Sequence, residues 1–540
     1  MLQHYKNGGV AYMGDKVVAI NRKPIFLTPE AEARYQALLE EDQANGKEDN
    51  EPIVKQTTSS GGRESQIDQL RELVGPLLLF EDQKKQAYVK LVVSGYEEYM
   101  SVYSSDLKHW IRHNYYLKYG KIASSANIKL IIDQLAADAH MVGDKVHLFI
   151  RVAEHGNMIY YDLANDAKQV IEISDKAWKV TTNPPVSFRR YQDTKPQVMP
   201  KSADTDMVNK IFNFINLMSE QDRLLFAVEL ISSFIPNIPH MILCLHGEKG
   251  ASKSTALKIK RRLVDPTATE LISVPTNIAE LEQILSHNHL VLFDNLDFLN
   301  RNQSNTFCKA VTGAGSIKRR LYTDEDDVLV TYKCCIGLNG INTVGMAPDF
   351  LDRSLIFELD RISSENRKSE FELWAEFEEH RPRILGAIFT VLSKAISIYP
   401  TVYLESLPRM ADFAKWGYAI AEAMGNKGNE FLRALEYNEQ RTNNEAILSS
   451  PLAVAIIKFM ADKVEWSGTA SELLKELYAI AHRENLDTQA KVWPRGANKI
   501  SPRLKTIKSN LESMGIFYAI GRTMENLSCI TIENKDCTWE

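Results

Sequence analysis

Cysteine is scarce in this chain of 540 residues: there are six, Cys244, Cys308, Cys334, Cys335, Cys529 and Cys537, with no C-x-x-C pair and no histidine at metal-ligand spacing. That pattern argues against a disulfide framework and a zinc ribbon and fits reduced thiols. No linear apolar run approaches the length of a membrane span, and Met1 opens onto polar residues rather than a signal peptide. A cytoplasmic protein without membrane contact is therefore expected. Positive charge is not in excess either. The net charge is −6, so any polyanion would have to be met by local basic patches. No repeat of solenoid length is visible. What is left is an ordinary globular composition with length for about three domains.

Changes of composition along the chain divide it further. Residues 1–41 read as a small hairpin followed by a helix over 29–41. Residues 42–65 are polar and rich in breakers (Asn-Gly, Asn-Glu-Pro, Ser-Ser-Gly-Gly) and read as a flexible linker. A mixed α/β domain is expected over 66–200, with a helix over 104–116, strands over 146–152 and 158–162, and an exit marked by Pro184, Pro185, Pro196 and Pro200. It shows no catalytic pattern. Glu154 and His155 suit a solvated turn, and the aromatic and basic residues from Lys108 to Tyr116 suit either nucleic acid or a half-buried helix.

Over 201–440 the pattern changes. Helical runs over 207–218 and 221–235 precede apolar strand candidates at 241–245, 271–275, 290–294, 334–339 and 355–359, most of them separated by helical stretches. Such alternation predicts a parallel sheet with helices on both faces. Helices from Glu370 to about Leu435 would form a lid. After the first strand comes Gly247-Glu248-Lys249-Gly250-Ala251-Ser252-Lys253-Ser254-Thr255. This is a P-loop pattern with Ser252 where Gly normally precedes the lysine. Backbone N–H groups there would cradle phosphates, Lys253 would reach the β- and γ-phosphates of ATP, and Ser254 would hold Mg²⁺. The plain alternative is a Gly-rich turn between a strand and a helix.

Asp294 ends the apolar strand 290–294 and would order the Mg²⁺ shell beside Ser254. Asn295 follows where many such ATPases carry a glutamate, which leaves Asp297 or Glu248 as candidate bases. Asn339, at the end of another strand, is placed to contact the γ-phosphate or a water. Arg353 would suit an arginine finger acting on a neighbouring subunit, or a surface pair with Asp352. Arg381, Arg383 and Arg409 are further basic candidates in the lid. Residues 316–332 read as a hairpin with Lys318, Arg319 and Arg320 on one arm and an acidic tip.

The segment 441–540 reads as a winged helix. Ser450–Lys463 makes one helix, Thr469-x-x-Glu472 caps a second, and Ser501-Pro502 opens a third that Gly515 ends. Leu504, Ile507, Leu511 and Met514 would share its apolar face. Strands at 516–520 and 529–532 would form the wing around Gly521-Arg522. From Lys491 to Lys508 the chain carries six basic residues and no carboxylate. Lys499, Arg503, Lys505, Lys508 and Arg522 are the candidate DNA contacts. A solvated basic face that meets protein is the alternative.

Taken together, Gly247–Thr255, Phe293–Asn295, Thr312–Gly315, Arg319–Asp324, Leu338–Gly340, Asp349–Arg353, Glu372–Glu378, Arg381–Gly386 and Arg409–Ala414 resemble the AAA+ helicases of mobile elements. The likeness is to minichromosome-maintenance-like replication helicases of staphylococcal cassette elements and to the helicase halves of phage and plasmid primase-helicases. It runs from about Phe80 to the C-terminus. The resemblance implies an AAA+ core, a hexameric ring of identical subunits with ATP and Mg²⁺ between them, and single-stranded or forked DNA through the centre. In those relatives the hairpin points at DNA, a role that the acidic tip does not suit. The function expected is an ATP-dependent DNA helicase or translocase. A DNA-binding regulator or helicase loader is the alternative, as is a signalling NTPase whose last domain binds protein.

Overall fold

The computed structural model describes residues 11–13, 16–18, 65–93, 96–296, 298–319, 327–340, 348–363, 365, 367–448, 450–490, 493–522 and 528–535. The chain divides into two compact units, Met1–Leu148 with Ser187–Arg189, and Phe149–Val186 with Arg190–Glu540. The first boundary thus falls earlier than the prolines at 184–200 suggest.

In the first unit, Ala11–Met13 (β1) pairs antiparallel with Lys16–Val18 (β2), within the expected hairpin. The helix expected over 29–41 lies outside the described residues, as does the linker apart from Ser65. Ser65 caps the helix Gln66–Val74 (α1) by accepting from Asp68 N. Leu78–Glu81 (β3), Ala87–Val93 (β4), Tyr96–Ser101 (β5) and Asp144–Lys145 (β6) form a four-stranded sheet in the order β5-β4-β3-β6. The helices Ser105–Tyr119 (α2) and Ser125–Met141 (α3) complete the unit. Leu107, Ile111 and Tyr115 recur at helical spacing and are buried in its core, while His109, Arg112, His113 and Tyr116 of the aromatic and basic stretch are exposed.

The second unit opens with an antiparallel sheet of Val152–His155 (β7), Met158–Asp162 (β8), Val170–Ile173 (β9) and Trp178–Thr181 (β10). The hairpin partner of β8 therefore starts at Val152, and Glu154 and His155 are exposed near its turn. The α-helix expected over 207–218 is a 3-10 helix, Thr205–Asn213. Val208, Ile211 and Phe214 are spaced by three, a pattern that stacks on one face of the tighter helix, and Ser219 caps a new helix, Glu220–Ser232 (α4), just beyond.

Ile242–His246 (β11), Leu290–Phe293 (β12), Cys335–Asn339 (β15) and Ser354–Glu358 (β16) form a parallel sheet in the order β12-β15-β11-β16. The candidate strand at 271–275 contributes one parallel bridge, Ile272 to Phe293. Between β12 and β15 lie the helix Arg301–Thr312 (α7) and the hairpin Ala314–Arg319 (β13) with Asp327–Tyr332 (β14). The tip of that hairpin, with Arg320, lies outside the described residues. Strand side chains alternate between faces, and the packing follows. Leu243, Leu245, Leu290, Leu292, Leu355 and Phe357 join one core with α4 and the helices Lys253–Val264 (α5), Glu370–Ile398 (α9) and Ala411–Ala423 (α10). Ile242, Cys244, Val291, Phe293, Ile336, Leu338 and Ile356 join a second core with α7 and the helix Ile278–His287 (α6). The short helix Pro348–Leu351 (α8) leads into β16.

Two features of this unit bear on the sheet's edges. The helix Gly428–Leu448 (α11) runs through the boundary expected at 440/441. Its buried Asn438 grips the terminal strand β16, accepting from Ile356 N at 3.1 Å and donating to Ile356 O at 2.7 Å. At the edge where the strands begin, α5 and α4 are joined by a fully buried ion pair, Lys260 to Glu229. Burial pushes the Glu229 carboxyl up against the pull of Lys260. His240 and His289 sit at the same edge, just before β11 and β12. Burial, with His289, Lys260 and Lys333 nearby, pushes His240 well down. Burial also lowers His289, against the charge of Asp265 and the carbonyl of Ser233.

By length and composition, Glu370–Thr401 would be long and apolar enough to cross a membrane. Linear runs do not show this, because polar residues interrupt the helix. Its Ile384, Leu385, Ile388, Phe389, Val391 and Leu392 are buried in the protein core.

The last part of the chain packs around its own core. Pro451–Met460 (α12) is capped by Ser450, and Ala470–Arg483 (α13) by a full capping box of Thr469 and Glu472. The expected third helix is two short ones, Ile500–Thr506 (α14) and Lys508–Glu512 (α15). Lys499, not Ser501, is its N-cap. Glu465–Thr469 (β17), Ile516–Arg522 (β18) and Ser528–Asn534 (β19) form an antiparallel sheet in the order β17-β19-β18. Leu504 and Leu511 are buried as expected, whereas Met514 is 38% exposed. The break at Ile507 turns the second short helix, so a face extrapolated from straight helical spacing no longer carries Met514 inward.

Candidate functional site

The loop after β11 is shaped by close backbone approach. Gly247 has φ +134°, and a Cβ there would lie 2.3 Å from Leu359 O, so no other residue fits. Gly250 also has positive φ, +89°. Ser252, in the place usual for glycine, adopts φ 58° and ψ 32°, a left-handed conformation that costs a non-glycine residue about 1 kcal/mol. It is the N-cap of α5, yet its side chain makes no capping hydrogen bond. The side-chain caps found on α4, α6, α7 and α9 are missing here. The first N–H groups of α5 thus remain without a side-chain cap, at the positive end of the helix dipole.

Lys253 folds back over the loop and donates to Gly247 O at 2.7 Å and Glu248 O at 3.1 Å. Ser254 donates from Oγ to Asp294 Oδ1 at 2.8 Å. Asn339, 2% exposed, donates from Nδ2 to Asp294 Oδ1 at 2.6 Å and to Ser254 Oγ at 3.2 Å. Its Oδ1 accepts from Asn295 N at 2.7 Å. Adjacent parallel strands bring these residues together. β11, β12 and β15 all end at this edge, so Asp294 just past β12, Asn339 at the end of β15 and Ser254 at the start of α5 after β11 face the same opening.

The opening is a cavity of about 410 Å³, lined by Lys249, Lys253, Ser254, Asp294, Asn295 and Asn339 together with His246, Gly247 and Gly340. Sequence reasoning did not single out His246 or the Asn295 N–H; their only signal was position at a strand's C-terminal end. Among the described residues Asp294 is the only carboxylate in that lining. Glu248 is exposed on the loop and does not line the cavity, and Asp297 lies outside the described residues. Ala251 is buried within the loop, and Thr255 continues α5.

The donor set fits a small hard cation that arrives with a polyphosphate. Ser254 Oγ and Asp294 Oδ1, hydrogen-bonded at 2.8 Å, are oxygen donors of the kind a hard cation takes. Among the described residues no group of three or more His, Cys, Asp or Glu could hold a metal alone. A Mg²⁺ ion here would take its remaining ligands from phosphate and water.

Arg353 lies elsewhere. It precedes β16, which runs parallel to β11 with Ser354 opposite Ile242 and Glu358 opposite His246. It therefore sits at the strand-start edge, about 16 Å of extended chain from the loop after β11. Its Nη1 pairs with Asp349 Oδ1 at 2.5 Å rather than with Asp352. Arg409 binds both Asp349 and Asp352. Burial would raise Asp349, but the hydrogen bond and charge of Arg353, with Arg409 behind, hold it below the usual carboxylate range. Arg381 is buried and bonded to Glu378 and Gln197, a structural tie, and Arg383 is exposed.

At the C-terminal end, Lys499, Lys505 and Lys508 are exposed around α14 and α15, and Arg503 is half-buried. Lys508 pairs with Glu512 at 3.5 Å, which offsets part of its charge. The side chain of Arg522 and the wing tip lie outside the described residues.

Residues 205–437 match the family model of the actinomycete integrative conjugative element replication protein, and residues 452–538 match the model of that protein's C-terminal domain. Its two domains are those of a mobile-element replication protein. The matched segments end and resume around Ser450, where α11 gives way to α12. No curated protein matches the chain. Among solved structures, the A form apo structure of the NrS-1 C terminal region is 10% identical with a TM-score of 0.36, covering 86% of this chain and 98% of that one. Another apo structure of that region is 11% identical with a TM-score of 0.37, covering 88% and 100%. With scores of this size, the site of this replication protein is read from its own residues.

Proposed function

We propose that this replication protein is an ATP-driven DNA motor, an AAA+ P-loop ATPase that works as a ring of identical subunits, hexameric as the sequence resemblance implies. The observation that carries the reading is the bonded set Ser254, Asp294 and Asn339 beside Lys253, at the mouth of a parallel sheet and the uncapped start of α5. On binding ATP, Lys253 exchanges two carbonyl acceptors for phosphate oxygens, which gives it charge-assisted bonds. Asn339 keeps Asp294 and Ser254 in register and can turn its amide toward a water. Mg²⁺, when bound, supplies neutralisation of developing phosphate charge. Of the two candidate bases, Glu248 stands on the loop outside the cavity lining and Asp297 lies outside the described residues.

Arg353 stands at the far edge of the sheet from its own loop, so a finger role requires a neighbour's nucleotide. This supports a ring in which each subunit completes the next. The sheet and helices after Ser450 support a winged helix whose basic α14 face, Lys499, Arg503 and Lys505, meets the DNA backbone.

The test is unwinding of forked DNA by the full chain with ATP and Mg²⁺. Strand displacement is expected; DNA-stimulated hydrolysis without displacement would instead make the protein a translocase or loader. Lys253→Ala and Arg353→Ala should each be inactive, and mixing them should recover hydrolysis, because mixed rings contain complete sites. No recovery from mixed, assembled protein would remove the trans assignment.

A further inference from the structure

We infer that Arg367 is a second cation of the nucleotide site, contacting the phosphate chain of the bound nucleotide from the same subunit. The inference rests on the reading of Gly247–Thr255 as a nucleotide loop, and it adds a residue from a different part of the chain.

The connection from β16 to α9 runs along that loop. Leu359 N donates to His246 O at 2.9 Å, carrying the strand pairing to the last residue of β11, and Leu359 O abuts Gly247. At the other end the start of α9 is fixed. Ser369 and Glu372 form a full capping box, and Lys258 of α5 lies 3.9 Å from Glu370. Arg367 stands two residues before that cap. Its Nη2 is 3.5 Å from the point where a side chain on Gly250 would begin, so the guanidinium rests against the bare backbone of the loop.

Two neighbouring cations are already matched. Lys368 pairs with Glu376, and Lys258 with Glu370. Arg367 is exposed, and among the described residues its only hydrogen bond runs from Nε to Ile362 O at 3.4 Å. Among the described residues no carboxylate pairs with it. Lys249 and Lys253 stand on the same loop, and Lys253 is held by carbonyls rather than by acids. Gathering three cations at the positive end of a helix is unfavourable unless an anion joins them. A guanidinium presents two parallel donors, which suits phosphate oxygens. It stands beside Gly250, outside the lining formed by Lys253, Asp294 and Asn339. A phosphate chain lying along the loop would thus be held from both flanks.

The test is the affinity of the full chain for a fluorescent ADP, by anisotropy at two salt concentrations. Arg367→Ala should weaken binding about tenfold, the scale of one charge-assisted contact, and should flatten the salt dependence. Arg367→Lys should recover part of the loss. Arg361→Ala, which removes a nearby exposed charge, should bind as the wild type does. Wild-type affinity in Arg367→Ala, with binding lost in Lys253→Ala, would overturn the inference and leave the nucleotide reading standing. Equal weakening by Arg361→Ala would also overturn it, since general charge would then explain the effect. A wild-type chain that binds no nucleotide would take both down.

Discussion

The two edges of the parallel sheet are built from opposite chemistry. Where the strands end, Lys253, Ser254, Asp294 and Asn339 surround an open cavity and bond to one another or to loop carbonyls. Where they begin, Lys260, Glu229, His240 and His289 are buried from solvent. Lys253, Ser254 and Asp294 are partly exposed and can exchange partners with a ligand at little cost, while Asn339, 2% exposed, backs them from within. Groups at the second edge cannot, because each broken contact leaves a polar atom in a dry interior. Polarity alone therefore does not mark a site; access to a replacement partner does.

The contrast can be broken from either side. The largest effect is expected on activity from Lys253→Ala. ATP hydrolysis should fall to background in a steady-state assay while the melting temperature without nucleotide stays near the wild-type value. At the other edge, Lys260→Met leaves Glu229 buried without its partner and should cost about 3–5 kcal/mol in urea unfolding. Adding Glu229→Leu should return most of that loss, which a catalytic pair would not do.

Protonation sharpens the comparison further. His240 and His289 titrate lower when folded than in the unfolded chain, where histidine titrates near about 6.5. Above that pH both states hold them neutral and their contribution to stability is full. As pH falls through it, the unfolded chain takes up protons first, so stability declines. His240→Gln should flatten the slope of unfolding free energy against pH between 6.5 and 5.5, and an unchanged slope would count against this cause. The smallest effect belongs to Ser252→Gly, which should raise stability by about 0.5–1 kcal/mol by relieving the left-handed backbone.

Much of the edge where the strands end was legible because its chemistry is local. The residues Gly247–Thr255 are contiguous, and Asp294 and Asn339 each end an apolar run. Strand-end position is a signal that survives without coordinates. The buried edge was not legible, since Glu229, Lys260, His240 and His289 lie on separate elements and none looks unusual in its own segment. Arg367 was missed for the same reason, because its meaning comes from Gly250, more than a hundred residues earlier. The 3-10 helix at Thr205–Asn213 was masked by apolar spacing that also fits an α-helix. The break between α14 and α15 has no glycine or proline to announce it, and it moved Met514 to the surface.

Asn438 has a consequence for how copies of this protein can meet. By offering one acceptor and one donor to Ile356, its amide acts as a strand one residue long and uses the hydrogen-bonding groups through which another chain could add to the sheet. A second copy that met β16 there would be steered toward side chains, such as the arginines beside Asp349, rather than toward backbone pairing. In the proposed ring, a subunit contact made of side chains could open and close with each turnover, whereas one made of paired backbone would tend to fuse it.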